Sequence, residues 1–159
     1  MKTAVVFYSL DGNCAFTAKH ISSLLNADLV QIHTVDQKKR RGLFKILWGV
    51  WQVMRGKMPA LLPVDFDATD YDLIIIGTPV WAGSPAPAMK VFLSQTKIEG
   101  KKIALYACHA GDKGKTMDIL KDTLKDNTVI SEKDFDDAVK HAEKTIAQIE
   151  EWVKEVVSC

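Results

Sequence analysis

No stretch of the chain approaches the ~18 consecutive apolar residues that a membrane-spanning helix needs. Met1–Ser9 (M-K-T-A-V-V-F-Y-S) has neither the long apolar core nor the small-residue cleavage site of a secretory signal. The expectation is a cytoplasmic protein with no transmembrane segment. Cysteine is scarce: Cys14, Cys108 and Cys159 are odd in number and show no C-x-x-C spacing, which argues against a disulfide framework and against a zinc site. Net charge is nearly absent as well, with 21 Lys and Arg against 20 Asp and Glu for a formal +1. There is thus no global electrostatic footprint for nucleic acid. No internal repeat and no low-complexity linker interrupts the chain.

What remains is apolar and periodic. With 47% hydrophobic residues in 159, the chain is long enough for one domain with a substantial core and short for two, so a single domain over residues 1–159 is expected. Apolar runs of strand length are Thr3–Tyr8, Leu29–His33, Leu73–Gly77, Lys102–Ala107 and a weaker Thr128–Ile130. They alternate with helical stretches at Asn13–Asn26, Gly42–Arg55, Pro85–Thr96, Lys115–Lys125 and Asp134–Val156. That alternation marks an α/β fold in which helices cover both faces of a parallel sheet. The last helix carries the clearest period, with Phe135, Val139, Ala142, Ile146, Ile149, Val153 and Val156 at steps of three and four. Ser84 before Pro85 reads as a hydroxyl N-cap with proline at the first helical position, and Met58–Asp70 reads as a surface connection.

In an open parallel sheet, ligands bind beyond the carboxyl ends of the strands, where the connections reverse direction. The loops after the first, third and fourth strands are therefore the ones to inspect. Ser9–Cys14 (S-L-D-G-N-C) runs straight into a helix, whose first N–H groups and positive dipole end suit an anion, with Gly12 free to turn tightly around it. Ser9 and Asn13 add side-chain donors, although a plain strand-to-helix turn would use the same glycine. Thr78–Pro87 (T-P-V-W-A-G-S-P-A-P) places Trp81 either in the core or as a flat platform for a ring. Cys108–Gly114 (C-H-A-G-D-K-G) leads into Gly114-Lys115-Thr116, the end of a nucleotide P-loop, but the leading glycine of that motif is His109 here. A nucleoside triphosphatase is excluded on that ground. A response-regulator domain would need clustered acids after the first strand and an aspartate ending the third, where this chain has Ser9 and Thr78.

Taken together, Y-S-L-D-G-N-C at Tyr8–Cys14 and T-P-V-W-A-G-S-P-A-P at Thr78–Pro87 resemble the phosphate loop and the isoalloxazine-flanking loop of the flavodoxins and flavodoxin-like FMN proteins. The resemblance runs over nearly the whole chain. It implies a doubly wound three-layer sandwich with a five-stranded parallel sheet of order 2-1-3-4-5 and FMN at the switch point between strands one and three. Carried over by position, Ser9, Asp11, Gly12, Asn13, Cys14 and Ala15 ring the phosphate, chiefly through backbone N–H groups. Thr78, Pro79, Val80, Trp81, Ala82 and Gly83 pass along the flavin, with Trp81 against one ring face; Cys108, His109, Ala110 and Gly111 close the other side. The Ala82–Gly83 peptide is where the resemblance places a backbone rearrangement toward N5 of reduced flavin. No catalytic side chain and no metal is assigned. Two features depart from the family pattern: Asp11 and Cys14 stand where hydroxyl residues are common, and the loop lacks the aromatic that often covers the second flavin face, for which His109 is a partial substitute.

A carboxylate about 7 Å from a doubly charged phosphate costs several kcal/mol at an effective dielectric near ~20, so Asp11 is expected to turn away and accept N–H groups of its own loop. Cys14 has two readings: a thiol activated by the helix N-terminus, or a small residue whose backbone N–H matters and whose sulfur does not. Lys38-Lys39-Arg40-Arg41 leads into Gly42–Met58, where Phe44, Leu47, Trp48, Trp51 and Met54 lie near one helical face. That segment is either the second helix of the fold or a docking surface for an acidic redox partner, a flavin lid or an attachment to a membrane surface. The resemblance implies an electron-transfer flavoprotein, a monomer or weak dimer, carrying electrons between a reductase and an acceptor. The alternative is an FMN-dependent NAD(P)H:quinone oxidoreductase or flavodoxin-like oxidase, which the near-neutral charge and the basic aromatic segment favour.

Overall fold

β1 (Thr3–Tyr8) is buried at every position, as a strand covered on both faces requires. The computed structural model describes residues 1–35 and 58–159, so the expected helix Gly42–Arg55 and the basic run before it lie outside the described residues. After β1 come α1 (Asn13–Leu25), β2 (Asp28–Ile32), β3 (Leu73–Trp81) and β4 (Ser84–Pro85). They are followed by α2 (Pro87–Gln95), β5 (Lys102–His109), α3 (Thr116–Thr123), β6 (Thr128–Asp136) and α4 (Ala142–Ser158). Among the described residues, the five main strands are parallel and lie in the order β2-β1-β3-β5-β6, which is the expected 2-1-3-4-5 arrangement. Short β4 is added antiparallel to the end of β3.

The pleat sends alternate side chains to opposite faces, and this sorts the core into two layers. Ala4, Val6, Ile74, Ile76, Ile103 and Leu105 pack with α2 and α3, whereas Val5, Phe7, Leu73, Ile75, Ala104 and Tyr106 pack with α1 and α4. The result is a doubly wound three-layer sandwich. Gly77 in β3 is required by its neighbour in β5, because a Cβ there would collide with the Tyr106 ring. The hydroxyl of that ring donates to the Cys14 carbonyl at the start of α1 (3.0 Å), so the core reaches up to support the first loop.

The carboxyl-terminal third corrects the expectation of one helix over Asp134–Val156. Thr128–Asp136 is instead a nine-residue strand, Asp137 turns the chain with φ 42°, and the helix begins at Ala142. Among the described residues β6 is an edge strand that pairs only with β5, and edge strands carry charge; its bulge opposite Ile103 and Ala104 further breaks the alternation. Phe135 is buried from the strand, while Val139 is half exposed. The buried face of α4 is Thr145, Ile149, Trp152, Val153 and Val156, held by the Trp152 indole N–H donating to Ser131 Oγ (2.8 Å).

Ser84 and Pro85 do not start a helix either. They pair with β3, and α2 begins at Pro87 with Ala86 before it, because the Ala86 N–H is engaged by Thr78 Oγ1 (3.1 Å) and the Pro79 carbonyl (3.2 Å). The Met58–Asp70 connection is tied to the chain leaving β2: Val35 N–H donates to Ala60 O (2.9 Å) and Leu62 N–H to His33 O (2.8 Å). Among the described residues no helix is long and apolar enough to cross a membrane.

Candidate functional site

β1, β3 and β5 end on one edge of the sheet, and beyond them lies a cleft of about 240 Å³ lined by four segments. Leu10, Asp11 and Asn13 come from the first loop, Pro79, Val80, Trp81 and Ala82 from the end of β3, Cys108, His109 and Ala110 from the end of β5, and Asp137 from the turn after β6. The cleft sits where the chain leaves β1 toward one edge of the sheet and β3 toward the other, the topological switch point.

The first loop is shaped by its own side chains. Gly12 has φ 99°, and α1 starts directly after it. Asp11 accepts the Asn13 N–H at Oδ1 (3.1 Å) and the Asn13 amide at Oδ2 (3.0 Å), the turn geometry expected for it. Ser9 is buried, and its Oγ accepts the Ala15 N–H (3.2 Å). Two N–H groups of the first helical turn are therefore already engaged from within the loop. Asn13 Oδ1 reaches in turn across to the turn after β6 and accepts the Val139 N–H (2.9 Å). Cys14 is fully buried; burial and the neighbouring Cys108 thiol push its thiol well above the ordinary value, which favours the small-residue reading over an activated thiol.

The second loop is a two-residue hairpin. Val80 pairs with Pro85 and Trp81 with Ser84, leaving Ala82 (φ 51°) and Gly83 (φ 72°) to turn; positive φ at both central residues is the signature of a type I′ turn, whose twist matches the strands. The Gly83 carbonyl accepts the Lys115 N–H before α3 (2.9 Å), and Gly114, itself at φ 54°, lies against the Gly83 backbone so closely that a Cβ would not fit. Trp81 is half-buried, with its ring edge-on to Tyr8 (centroids 5.9 Å apart, 78° between planes). It thus combines the two readings of the sequence, part core and part cleft wall. Burial is the main cause that pushes the Tyr8 phenol up to about 12, so Trp81 rests on a neutral ring. Thr78 is buried, donates to the Pro79 carbonyl (3.1 Å) and accepts from Ala86; it holds the loop from beneath.

The third segment carries an ionisable network absent from the sequence reading. His109 Nε2 lies 2.9 Å from Asp134 Oδ2, and Lys113 Nζ lies 3.1 Å from Asp134 Oδ1. His109 Nδ1 is buried with no hydrogen-bond partner, 3.6 Å from Asp136 Oδ1. Burial alone would raise Asp134, but the hydrogen bonds from His109 and Lys113 outweigh it and hold the carboxyl below the usual carboxylate range. Asp136 also accepts the Gly111 N–H (3.1 Å).

A family model described as Flavodoxin matches residues 2–156. The chain belongs to the flavodoxin family. Among solved structures, a flavoprotein from Lactobacillus acidophilus NCFM in complex with FMN is 26% identical with a TM-score of 0.71, covering 87% of this chain and 96% of that one. A protein described as a flavoprotein from Bacteroides uniformis ATCC 8492 reaches a TM-score of 0.80 at 18% identity over 96% of this chain and 97% of its own. Oxidised Flavodoxin 1 from Bacillus cereus reaches 0.62 at 16% over 99% and 98%. No curated protein matches the sequence.

Within this flavodoxin fold, nine of the residues singled out from sequence line the cleft: Asp11, Asn13, Pro79, Val80, Trp81, Ala82, Cys108, His109 and Ala110. Ser9, Cys14 and Thr78 stand behind it as buried supports, while Gly12, Ala15, Gly83 and Gly111 contribute backbone around it. Leu10 and Asp137 line the cleft and were not anticipated. Leu10 sits inside the quoted first loop and could have been included. Asp137 could not, since residue 137 falls within the expected last helix.

Proposed function

We propose that this chain is a cytoplasmic electron-transfer flavodoxin that binds FMN in the cleft and carries electrons between a reductase and an acceptor, as a single domain and a monomer or weak dimer. The observation that carries the reading is the cleft at the β1–β3 switch point with the half-buried Trp81 ring braced on Tyr8. A braced indole gives a flat, rigid wall for a flat ring at little entropic cost. At Gly12 a Cβ would meet nothing within 4 Å, so there is room for a phosphate beside the start of α1, where N–H groups and the helix dipole favour an anion. The residues fit the group: the backbone at Gly12 and Cys14 would hold the phosphate, Asn13 staying bound to Asp11 and Val139, and Trp81, Ala82, His109 and Ala110 would flank the ring system. FMN, when bound, supplies the redox chemistry; the protein supplies binding, orientation and electrostatics.

One observation favours the alternative of an FMN-dependent oxidoreductase acting on a quinone with NAD(P)H, or of a flavodoxin-like oxidase: His109 in the cleft wall, oriented by Asp134 (2.9 Å), has the arrangement of a general acid or base. The deciding experiment is the visible spectrum of the protein with and without added FMN, followed by anaerobic reduction. Uptake of FMN and reduction in separate one-electron steps support the carrier. Rapid two-electron reduction by NADPH alone supports the enzyme, and no uptake at micromolar FMN removes both.

A further inference from the structure

We propose that His109 is the proton-exchanging group of this cleft, taking up a proton when a bound flavin is reduced; the inference rests on the reading of the cleft as a flavin site. The geometry begins with a ring fixed on one side only. The His109 side chain is 8% exposed, and Nε2 is 2.9 Å from Asp134 Oδ2. An ionised carboxylate can only accept, so Nε2 carries the hydrogen. Nδ1 is then the site that gains or loses a proton. It is buried without a hydrogen-bond partner, and Asp136 Oδ1 stands 3.6 Å away.

In the neutral ring the Nδ1 lone pair and the Asp136 oxygen are two acceptors facing one another. Protonation turns that contact into an attraction and gives the imidazolium a carboxylate at each nitrogen. Two terms oppose it: burial of the ring, which disfavours charge, and Lys113, whose Nζ shares Asp134 at 3.1 Å. Asp11 and Asp137, which line the same cleft, add negative charge from the first loop and from the turn after β6. Asp112, next to Lys113, has its carboxylate turned onto the Gly114 N–H (3.1 Å). Full reduction would bring two electrons to a flavin in the cleft; with one proton taken up by the flavin, one negative charge is left there, and one proton from solvent bound at Nδ1 restores the balance: two electrons and two protons enter, and nothing leaves.

The test is the titration of the His109 ring by NMR, with FMN bound, in the oxidised state and after full reduction with dithionite. The resonance is picked out among the four histidines by its absence in His109→Gln. The expected result is a proton affinity at Nδ1 at least about tenfold higher in the reduced state, equivalent to about 30 mV of pH-dependent potential for the two-electron couple that full reduction spans. The reduction potential of His109→Gln should lose that part of its pH dependence, and Asp136→Asn should shrink the rise without abolishing flavin binding. Identical His109 titrations in the two redox states, with the flavin spectrum showing FMN bound, overturn the proposal and leave the flavin reading intact. Absence of any flavin uptake overturns both.

Discussion

Asp11 is the side chain set most directly against an anion at the start of α1. It is exposed, and its carboxylate is committed to Asn13, so its field is screened by water and salt without being removed. Asp11→Thr should tighten FMN about tenfold and leave riboflavin, which has no phosphate, nearly unchanged; fluorescence-quenching titrations of both flavins check this. Weaker FMN binding in the variant would mean that the turn made by Asp11 matters more than its charge. The conformation of Asp11 was legible in the sequence because it depends on chemistry two residues away. The partners of His109 were not, because the register that sets Cys108 beside Phe135 and His109 beside Asp136 is decided by strand pairing across the sheet. Cys14 fails a local rule for a related reason: a helix N-terminus lowers a thiol pKa only when water reaches the sulfur, and here Tyr106 and Cys108 close the site off.

Among the elements, the β3–β4 hairpin and the start of α3 act as one unit, joined through Gly83 and Gly114. Gly114→Ala combines a positive φ with a collision against the Gly83 backbone, and should cost roughly 2–4 kcal/mol of stability in urea denaturation while also weakening FMN through displacement of Trp81. Gly12→Ala is the matched control. It has a positive φ but open space, so its cost should stay near ~1 kcal/mol; equal losses in the two would show that contact with Gly83 is unimportant. β1, β3 and β5 were readable as strands because each is buried on both faces and therefore apolar without interruption. Of β6 only the start, Thr128–Ile130, was readable, since beyond it one polar edge leaves the strand with Ser131 and Phe135 as buried residues among charges. A helix and a charged edge strand share that composition, and only the left-handed Asp137 between them marks the division.

For the whole molecule, three buried acids work in one direction. Burial raises Tyr8 to about 12 and pushes Tyr106 and the Cys14 thiol well above their ordinary values. A folded-state pKa above the unfolded one means that the folded chain holds its protons longer, so this stability is fully present below about pH 8.5 and is lost as pH rises through the unfolded values toward the folded ones. Urea midpoints should be flat from pH 7 to 8.5 and then fall steeply toward pH 11, with a shallower fall in Tyr8→Phe. A flat profile to pH 11 would show these groups to be solvated. The hydrogen bond from Val139 to Asn13 has a further consequence, in time rather than energy. Its two ends are 126 residues apart, so during synthesis the first loop is made 126 residues before the strut that ties it to the turn after β6. A chain stopped short of Val139 would carry the first loop without that tie.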